Sequence, residues 1–335
     1  MPRDAGGSIE IEEGTGPIRA MITTGELLEV YKSDKTFRVT TPETIDPERT
    51  NPNAPFVVTA TQDVGTSNPI VARVLLQGDQ MLNFTLMSQG ERDAVRKQLH
   101  QCKELLVRCE ICANRLHSKV KAVEDGLKQR GIPVKGGRVL NPFPQVDDLE
   151  TDCSSFLVDV NRAIRSISGL PPLFVHLEKS DNNFDHLCER LTKKIGADEI
   201  LTKFVKTTAP SIRRFVDMRN YFEHPKRRKT IVKNFHLLPN GQVSPPIWHL
   251  SDEDNVVLIA DDMSAAIDFL TRVSEEMLIH LVVYYGRKHS KFAVQQIPEN
   301  QIDRDFPVKY KMFAILKNMK GGSLKISNDP SDNAG

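Results

Sequence analysis

Apolar residues recur at steps of three and four from Leu99 to Val123, while lysine, arginine and glutamate fill the other faces. Such a stripe is typical of an amphipathic helix that buries one side. Ser88 and Glu91 have the spacing of a capping box, in which each side chain bonds to a backbone N–H group that a helix start leaves free. The pattern predicts one long amphipathic helix over residues 88–130.

The helical period returns beyond residue 150. Gly169 is placed to end the first helix of this group in a left-handed conformation. Pro210 fits the first turn of a later helix, where its missing N–H costs nothing, and that helix must stop at His224 because Pro225 follows. The predicted helices span residues 152–168, 182–195, 198–207, 210–224 and 262–285.

Two regions carry β signals. Short apolar groups separated by prolines, with the β-prone run 56–60, predict a strand or two in the N-terminal part. The turn Asn240-Gly241 lies between two β-prone runs and predicts a hairpin over residues 230–250. The predicted fold class is mainly α: a helical bundle with a small β-hairpin insertion after the helix that ends at His224, and an irregular N-terminal α+β layer.

Composition shifts divide the chain further. The first residues are rich in Gly and Glu and too polar to offset the entropy of ordering, and Gly and Pro are dense between 131 and 144. The predicted parts are a flexible arm at 1–16, an irregular region with short strands at 17–87, the long amphipathic helix at 88–130, a linker at 131–150, a helical domain with its hairpin at 151–290, and a C-terminal extension at 291–335 with a disordered end.

The composition limits the classes of partner. With 335 residues, 39% of them hydrophobic, the chain can bury a core. Lysine and arginine number 45 against 44 aspartates and glutamates, so a polyanion site must be a local patch. The N-terminus lacks the regions of a signal peptide, and no apolar run is long enough to span a bilayer. We expect a cytoplasmic protein without a membrane partner.

The five cysteines are expected to be reduced thiols, because they are odd in number, dispersed, and in a chain without an export signal. Cys109 and Cys112, with His100 and His117 nearby, have the spacing of half a zinc site. The two cysteines fall on the apolar stripe of the long helix, which favours buried free thiols over a metal site. We predict no metal and no cofactor. The chain also lacks the phosphate-binding, dinucleotide and serine-hydrolase motifs.

The segment that ends at Pro225 gathers polar groups at one helix end. Arg219, Asn220 and His224 lie within its last two turns. Histidine exchanges a proton near neutral pH, and the planar fork of arginine matches two phosphate oxygens. These groups are sufficient for RNA cleavage without a metal. Six further cations could bind the RNA backbone, namely Lys226, Arg227, Arg228, Lys229, Arg213 and Arg214.

The pattern Arg219-Asn220-x-x-x-His224 resembles the motif of the HEPN family, helical domains of bacterial toxin and antiviral defence systems. The resemblance covers roughly residues 152–285. It implies a metal-independent endoribonuclease in which Arg219 and His224 are catalytic and Asn220 positions them. It also implies a homodimer that brings two motifs into one cleft, with RNA as substrate and an antitoxin or regulatory protein as a partner. Glu223 would modulate the site by raising the histidine pKa or repelling RNA.

The same residues have a structural interpretation. Arg219 and Glu223 are four apart on a helix and can form a surface ion pair, while the helix dipole favours a histidine such as His224 at a C-terminus. The four consecutive cations 226–229 could be a solvated charge run. The alternative to a ribonuclease is therefore a non-catalytic helical interaction or dimerisation module.

Overall fold

The chain is mainly α-helical, with a β layer at its N-terminal end. The computed structural model describes residues 10–25, 27–132, 134–135, 139–140, 142–177, 184–225, 227–253, 255–289 and 292–314. Most of the predicted flexible arm, and the end of the C-terminal extension that was predicted to be disordered, lie outside these residues.

The N-terminal β layer is more regular than predicted. It is a four-stranded antiparallel sheet in sequential order, built from β1 (Ala20–Thr24), β2 (Leu27–Tyr31), β3 (Thr36–Thr40) and β4 (Val57–Gln62). The prediction of one or two strands treated the prolines as interruptions of the sheet. Most of them instead lie between β3 and β4, in a segment that forms the short helix α1 (Pro42–Ile45) and a loop, so the sheet is not interrupted. Val30, Phe37 and Val39 form a small core on one side of this sheet.

A helical segment follows that the sequence pattern did not reveal. Residues Val71–Leu76 form π-helical turns, and α2 continues over Gln77–Leu82. Val71, Val74 and Leu75 are among its many buried residues, and Gln80 is the one exposed residue between 71 and 82, so the segment lacks the broad polar face on which periodicity depends. This extensive burial explains why the segment was missed.

The capping box and the long helix are confirmed. The amide of Glu91 donates to Ser88 Oγ at 3.3 Å, and the amide of Ser88 donates to the Glu91 carboxylate at 2.8 Å. Helix α3 runs over Gln89–Arg130 and ends before Gly131, whose φ is 68°. The predicted linker contains two short paired strands, β5 (Val134–Lys135) and β6 (Val139–Leu140).

Helix α4 (Leu149–Ser168) packs along α3 and stops at Gly169. The prediction of a left-handed Gly169 was wrong, since its φ is −80°. Its missing side chain serves another purpose: a Cβ there would lie 2.7 Å from Gln98 Nε2, which donates to the carbonyl of Ser166. The glycine lets the end of α4 approach α3 closely. Helices α5 (Pro171–Val175) and α6 (Phe184–Ile195) follow.

Helix α7 (Ile200–Glu223) is one continuous helix with Pro210 inside it. The prediction of two helices, with Pro210 in the first turn of the second, was wrong. An internal proline costs about 3 kcal/mol or more. A single buried stripe that includes Val205, Ile212 and Phe215 runs past the proline, and α7 packs against α4, α6 and α8. Burial of that stripe outweighs the local cost.

Short strands follow α7. They are β7 (Thr230–Lys233), β8 (His236–Leu237), β9 (Val243–Ser244), β10 (Ile247–Leu250) and β11 (Val257–Leu258). Strand β10 pairs with both β7 and β11 in antiparallel register, and β8 pairs with β9. Trp248, on the inner face of this three-stranded sheet, is fully buried against the helices.

Helix α8 (Ile259–His289) completes the helical core, to which α3, α4 and α7 also contribute. After it, β12 (Phe292–Gln296) and β13 (Tyr310–Ala314) form a hairpin. The side-chain oxygen of Gln77 accepts from the amides of Lys309 and Tyr310, which attaches this hairpin to α2. Within the part of the chain that the structure describes, no helix combines the length and the apolarity needed to cross a membrane.

Candidate site at the end of helix α7

The predicted catalytic residues meet at the C-terminal end of α7. Met218 is buried and anchors this end of the helix, while the side chains of Arg219 and His224 retain 26% and 71% of their exposure. The amide of His224 still donates to the carbonyl of Asn220 at 2.9 Å, and the helix then stops before Pro225. Helix geometry alone thus brings the motif residues to one surface.

One carboxylate connects the two candidate catalytic groups. Arg219 Nη2 lies 2.5 Å from Glu223 Oε2, and His224 Nε2 lies 3.9 Å from the same oxygen. Arg219 Nη1 also donates to Asn220 Oδ1 at 3.1 Å. The guanidinium is therefore held within its own helix, and a phosphate would have to compete with Glu223 for it. His224 remains open to solvent.

Two of the predicted RNA-binding arginines are bound to carboxylates. Arg214 donates two hydrogen bonds to Asp262, at 2.9 and 2.7 Å, and Asp262 also accepts from the indole of Trp248. Arg213 pairs with Asp185 and Asp217. Paired arginines offer little charge to a polyanion, so both side chains chiefly hold α7 to its neighbours.

The cations after the helix behave differently from one another. Arg228 pairs with Asp252 and Glu253 and lies over the ring of Tyr221, 5.2 Å from its centre. Arg227 and Lys229 are exposed and make no ion pair among the described residues. Lys226 lies outside the described residues.

No protein-family model, curated protein or solved structure matches the chain.

A second polar cluster lies between the N-terminal sheet and α3. Ligand atoms of Glu29, His100 and Glu104 lie within 4.8 Å of one another, the one grouping among the described residues with a donor set that could hold a metal. However, the fully buried ammonium of Lys103 contacts both carboxylates and already supplies the positive charge that they require. The cluster is accounted for as a buried charge network.

The surroundings of the cysteine pair on α3 favour free thiols. Cys109 is buried and free, Cys112 is half-buried, and the imidazole of His100 contacts Glu29 rather than a thiol. Burial raises the pKa of the Cys109 thiol, which opposes the thiolate that a metal would need.

Proposed function

We propose that the end of α7 is the site of a HEPN-like, metal-independent endoribonuclease, with Arg219 and His224 as its catalytic residues and Asn220 as a positioning residue. The observation that supports this most directly is the position of His224 Nε2, which is exposed and lies 3.9 Å from the carboxylate oxygen that holds Arg219. An acid–base group and a phosphate-binding group thus share one small surface.

In this proposal His224 removes the proton of a ribose 2′-hydroxyl, and the resulting oxygen attacks the adjacent phosphorus. The 5′-oxygen leaves with a proton, which yields a 2′,3′-cyclic phosphate and a 5′-hydroxyl end. Arg219 stabilises the extra negative charge on the phosphate in the transition state. For that, the guanidinium must exchange Glu223 for phosphate oxygens.

A homodimer would complete the chemistry. Base and acid act on opposite sides of the phosphorus, and each chain contributes one His224 at this surface. A second copy of the chain would therefore supply the missing acid, in the arrangement that the family resemblance implies. An antitoxin or regulatory partner would act by covering the same exposed surface.

The second candidate is a non-catalytic helical interaction module, and the ion pairs favour it. Arg213, Arg214 and Arg228 are bound to carboxylates, and Arg219 is bound to Glu223. In this case the motif residues end a helix and hold neighbouring elements together, and no substrate phosphate replaces those carboxylates.

Cleavage of a mixed RNA by the purified protein in the presence of EDTA separates the two candidates. We expect cleavage by the wild type and its loss in His224→Ala and Arg219→Ala. The matched controls are His117→Ala, another exposed histidine, and Arg162→Ala, an exposed arginine in an ion pair with Asp159. Equal activity in all five proteins, or none in the wild type, would favour the interaction module.

A further inference from the structure

The three-stranded sheet β7–β10–β11 has two unlike faces. Side chains alternate between the faces of a strand, so Val232, Trp248 and Leu250 lie on the core side. Lys229, Ile231 and Lys233 alternate onto the outer side, where Ile231 lies opposite His249 of β10. The amide of Ser251 donates to the carbonyl of Lys229, so the ladder continues to that lysine.

Among the described residues, the positive charge of the outer face has no acidic partner. Lys229 and Lys233 are exposed and make no ion pair among the described residues. The described positions of this face hold no aspartate or glutamate. The nearest acidic residues along the chain, Asp252 and Glu253, are bound to Arg228. This contrasts with α7, where Arg213 and Arg214 are bound to carboxylates.

Between the two lysines lie half-buried side chains that can contact a base. Ile231 and His249 are neighbours across the strand pair, and both are partly exposed. The backbone carbonyl of Leu250 lies 2.9 Å from His249 Nδ1, which orients the ring. Lysines separated along a strand, with an imidazole between them, match an extended chain of phosphates and bases.

This face begins beside the motif. The hydroxyl of Thr230 donates to the carbonyl of Met218 at 2.7 Å, which fixes the start of β7 against the last turns of α7. Only four residues lie between His224 and Lys229 in the sequence. A strand of RNA that lay along the outer face of β7 would therefore reach the candidate catalytic surface.

We propose that the outer face of β7 and β10, formed by Lys229, Ile231, Lys233 and His249, binds single-stranded RNA and leads it to the end of α7. The inference rests on the proposed ribonuclease function, which it deepens by assigning the substrate-binding surface. Arg227, which lies between the motif and Lys229 in the sequence, is also exposed. Lys233 and His249 were not among the candidates from sequence, although the spacing of Lys229 and Lys233 fits the two-residue period of a strand.

The test measures binding of a 2′-O-methyl oligoribonucleotide, which cannot be cleaved through its 2′-oxygen, as a function of salt concentration. Each phosphate contact on a single strand contributes about 0.7 to the slope of log affinity against log salt. The double variant Lys229→Gln/Lys233→Gln should lower that slope by about 1.4 and weaken binding at low salt. The control Lys193→Gln/Lys194→Gln, which removes two exposed lysines from α6, should leave the slope unchanged.

The outcomes separate this inference from the proposed function. Tight binding that depends on Lys229 and Lys233, without cleavage of ordinary RNA, supports RNA binding on the outer face and overturns the proposed ribonuclease function. If the double variant still cleaves RNA and its salt slope is unchanged, RNA binding on the outer face is overturned and the proposed ribonuclease function stands. RNA binding on the outer face is overturned if the wild type does not bind the oligonucleotide. It is also overturned if the wild type binds phosphatidylserine vesicles instead of RNA, in a way that depends on the two lysines.

Discussion

Arg219 and His224 approach the same carboxylate oxygen of Glu223, Arg219 at 2.5 Å and His224 at 3.9 Å. The pairing keeps the arginine within its helix and places the histidine beside a negative charge. Glu223 therefore competes with any anion that would bind at the end of α7.

The first prediction concerns that competition. Glu223→Gln should tighten binding of the uncleavable oligonucleotide, because it frees Arg219 and removes a negative charge from the surface. Loss of this ion pair within one helix should lower the free energy of unfolding by only about 0.5 kcal/mol or less. Fluorescence anisotropy measures the first effect and urea denaturation the second. The control Glu189→Gln makes the same charge change on the exposed surface of α6, and equal tightening in both variants would contradict a local role.

The second prediction is a pH dependence that comes from Glu29. Burial alone would raise the pKa of this carboxyl, but the hydrogen bond to His100 and the charge of Lys103 together lower it from 4.5 to about 2. Because the folded-state pKa is the lower one, the ionised group stabilises the fold above about pH 4.5 and loses that effect as the pH falls toward 2. The contribution is on the order of 3 kcal/mol.

Urea denaturation at several pH values between 3 and 6 measures the predicted pH dependence of the free energy of unfolding. Glu29→Gln should lower stability at pH 6, because Lys103 stays buried with one carboxylate fewer, and should flatten the pH profile. The exposed Glu48→Gln serves as the control and should leave the profile as in the wild type. An unchanged slope in Glu29→Gln would show that other carboxyls produce the acid sensitivity.

A third prediction compares two glycines. A Cβ on Gly65 would lie 2.1 Å from the carbonyl oxygen of Lys32 and 2.7 Å from the amide of Lys35, both backbone atoms of the turn between β2 and β3. Gly65→Ala should therefore cost about 1–3 kcal/mol or more of unfolding free energy. A Cβ on Gly90, in the first turn of α3, would meet no atom within 4 Å, so Gly90→Ala should be neutral or stabilising by up to about 1 kcal/mol. Urea denaturation of both variants measures the two changes, and similar losses would contradict the close approach at Gly65.

The fourth prediction concerns thiol reactivity. Burial raises the pKa of Cys102 to about 12 and also raises the pKa values of Cys109 and Cys153, so these three should not react with a disulfide reagent in the native protein. Cys112 and Cys188 are both half-buried, but burial raises the pKa of the Cys112 thiol, so Cys188 should react first. Titration of native and urea-unfolded protein measures the difference, and Cys188→Ser should remove most of the fast phase. Rapid reaction of all five thiols without denaturant would contradict the buried environment.

The sequence alone determined the features that depend on neighbouring residues. The capping box at Ser88, the period of α3, and the pairing of Arg219 with Glu223 all follow from helix geometry, which brings residues three or four apart together. The gathering of the motif before Pro225 is local in the same sense. These interactions need no knowledge of the path of the rest of the chain.

Tertiary structure decided which charges remain open to a partner. Arg214 pairs with Asp262, 48 residues away in the sequence, and Arg228 pairs with Asp252, 24 residues away. A run of cations in the sequence therefore does not indicate free charge. The path of α7 through Pro210 and the burial of Lys103 likewise depend on packing against distant elements. Long-range contacts outweigh local preferences there, because a buried apolar stripe or a satisfied charge network is worth more than one lost helical hydrogen bond.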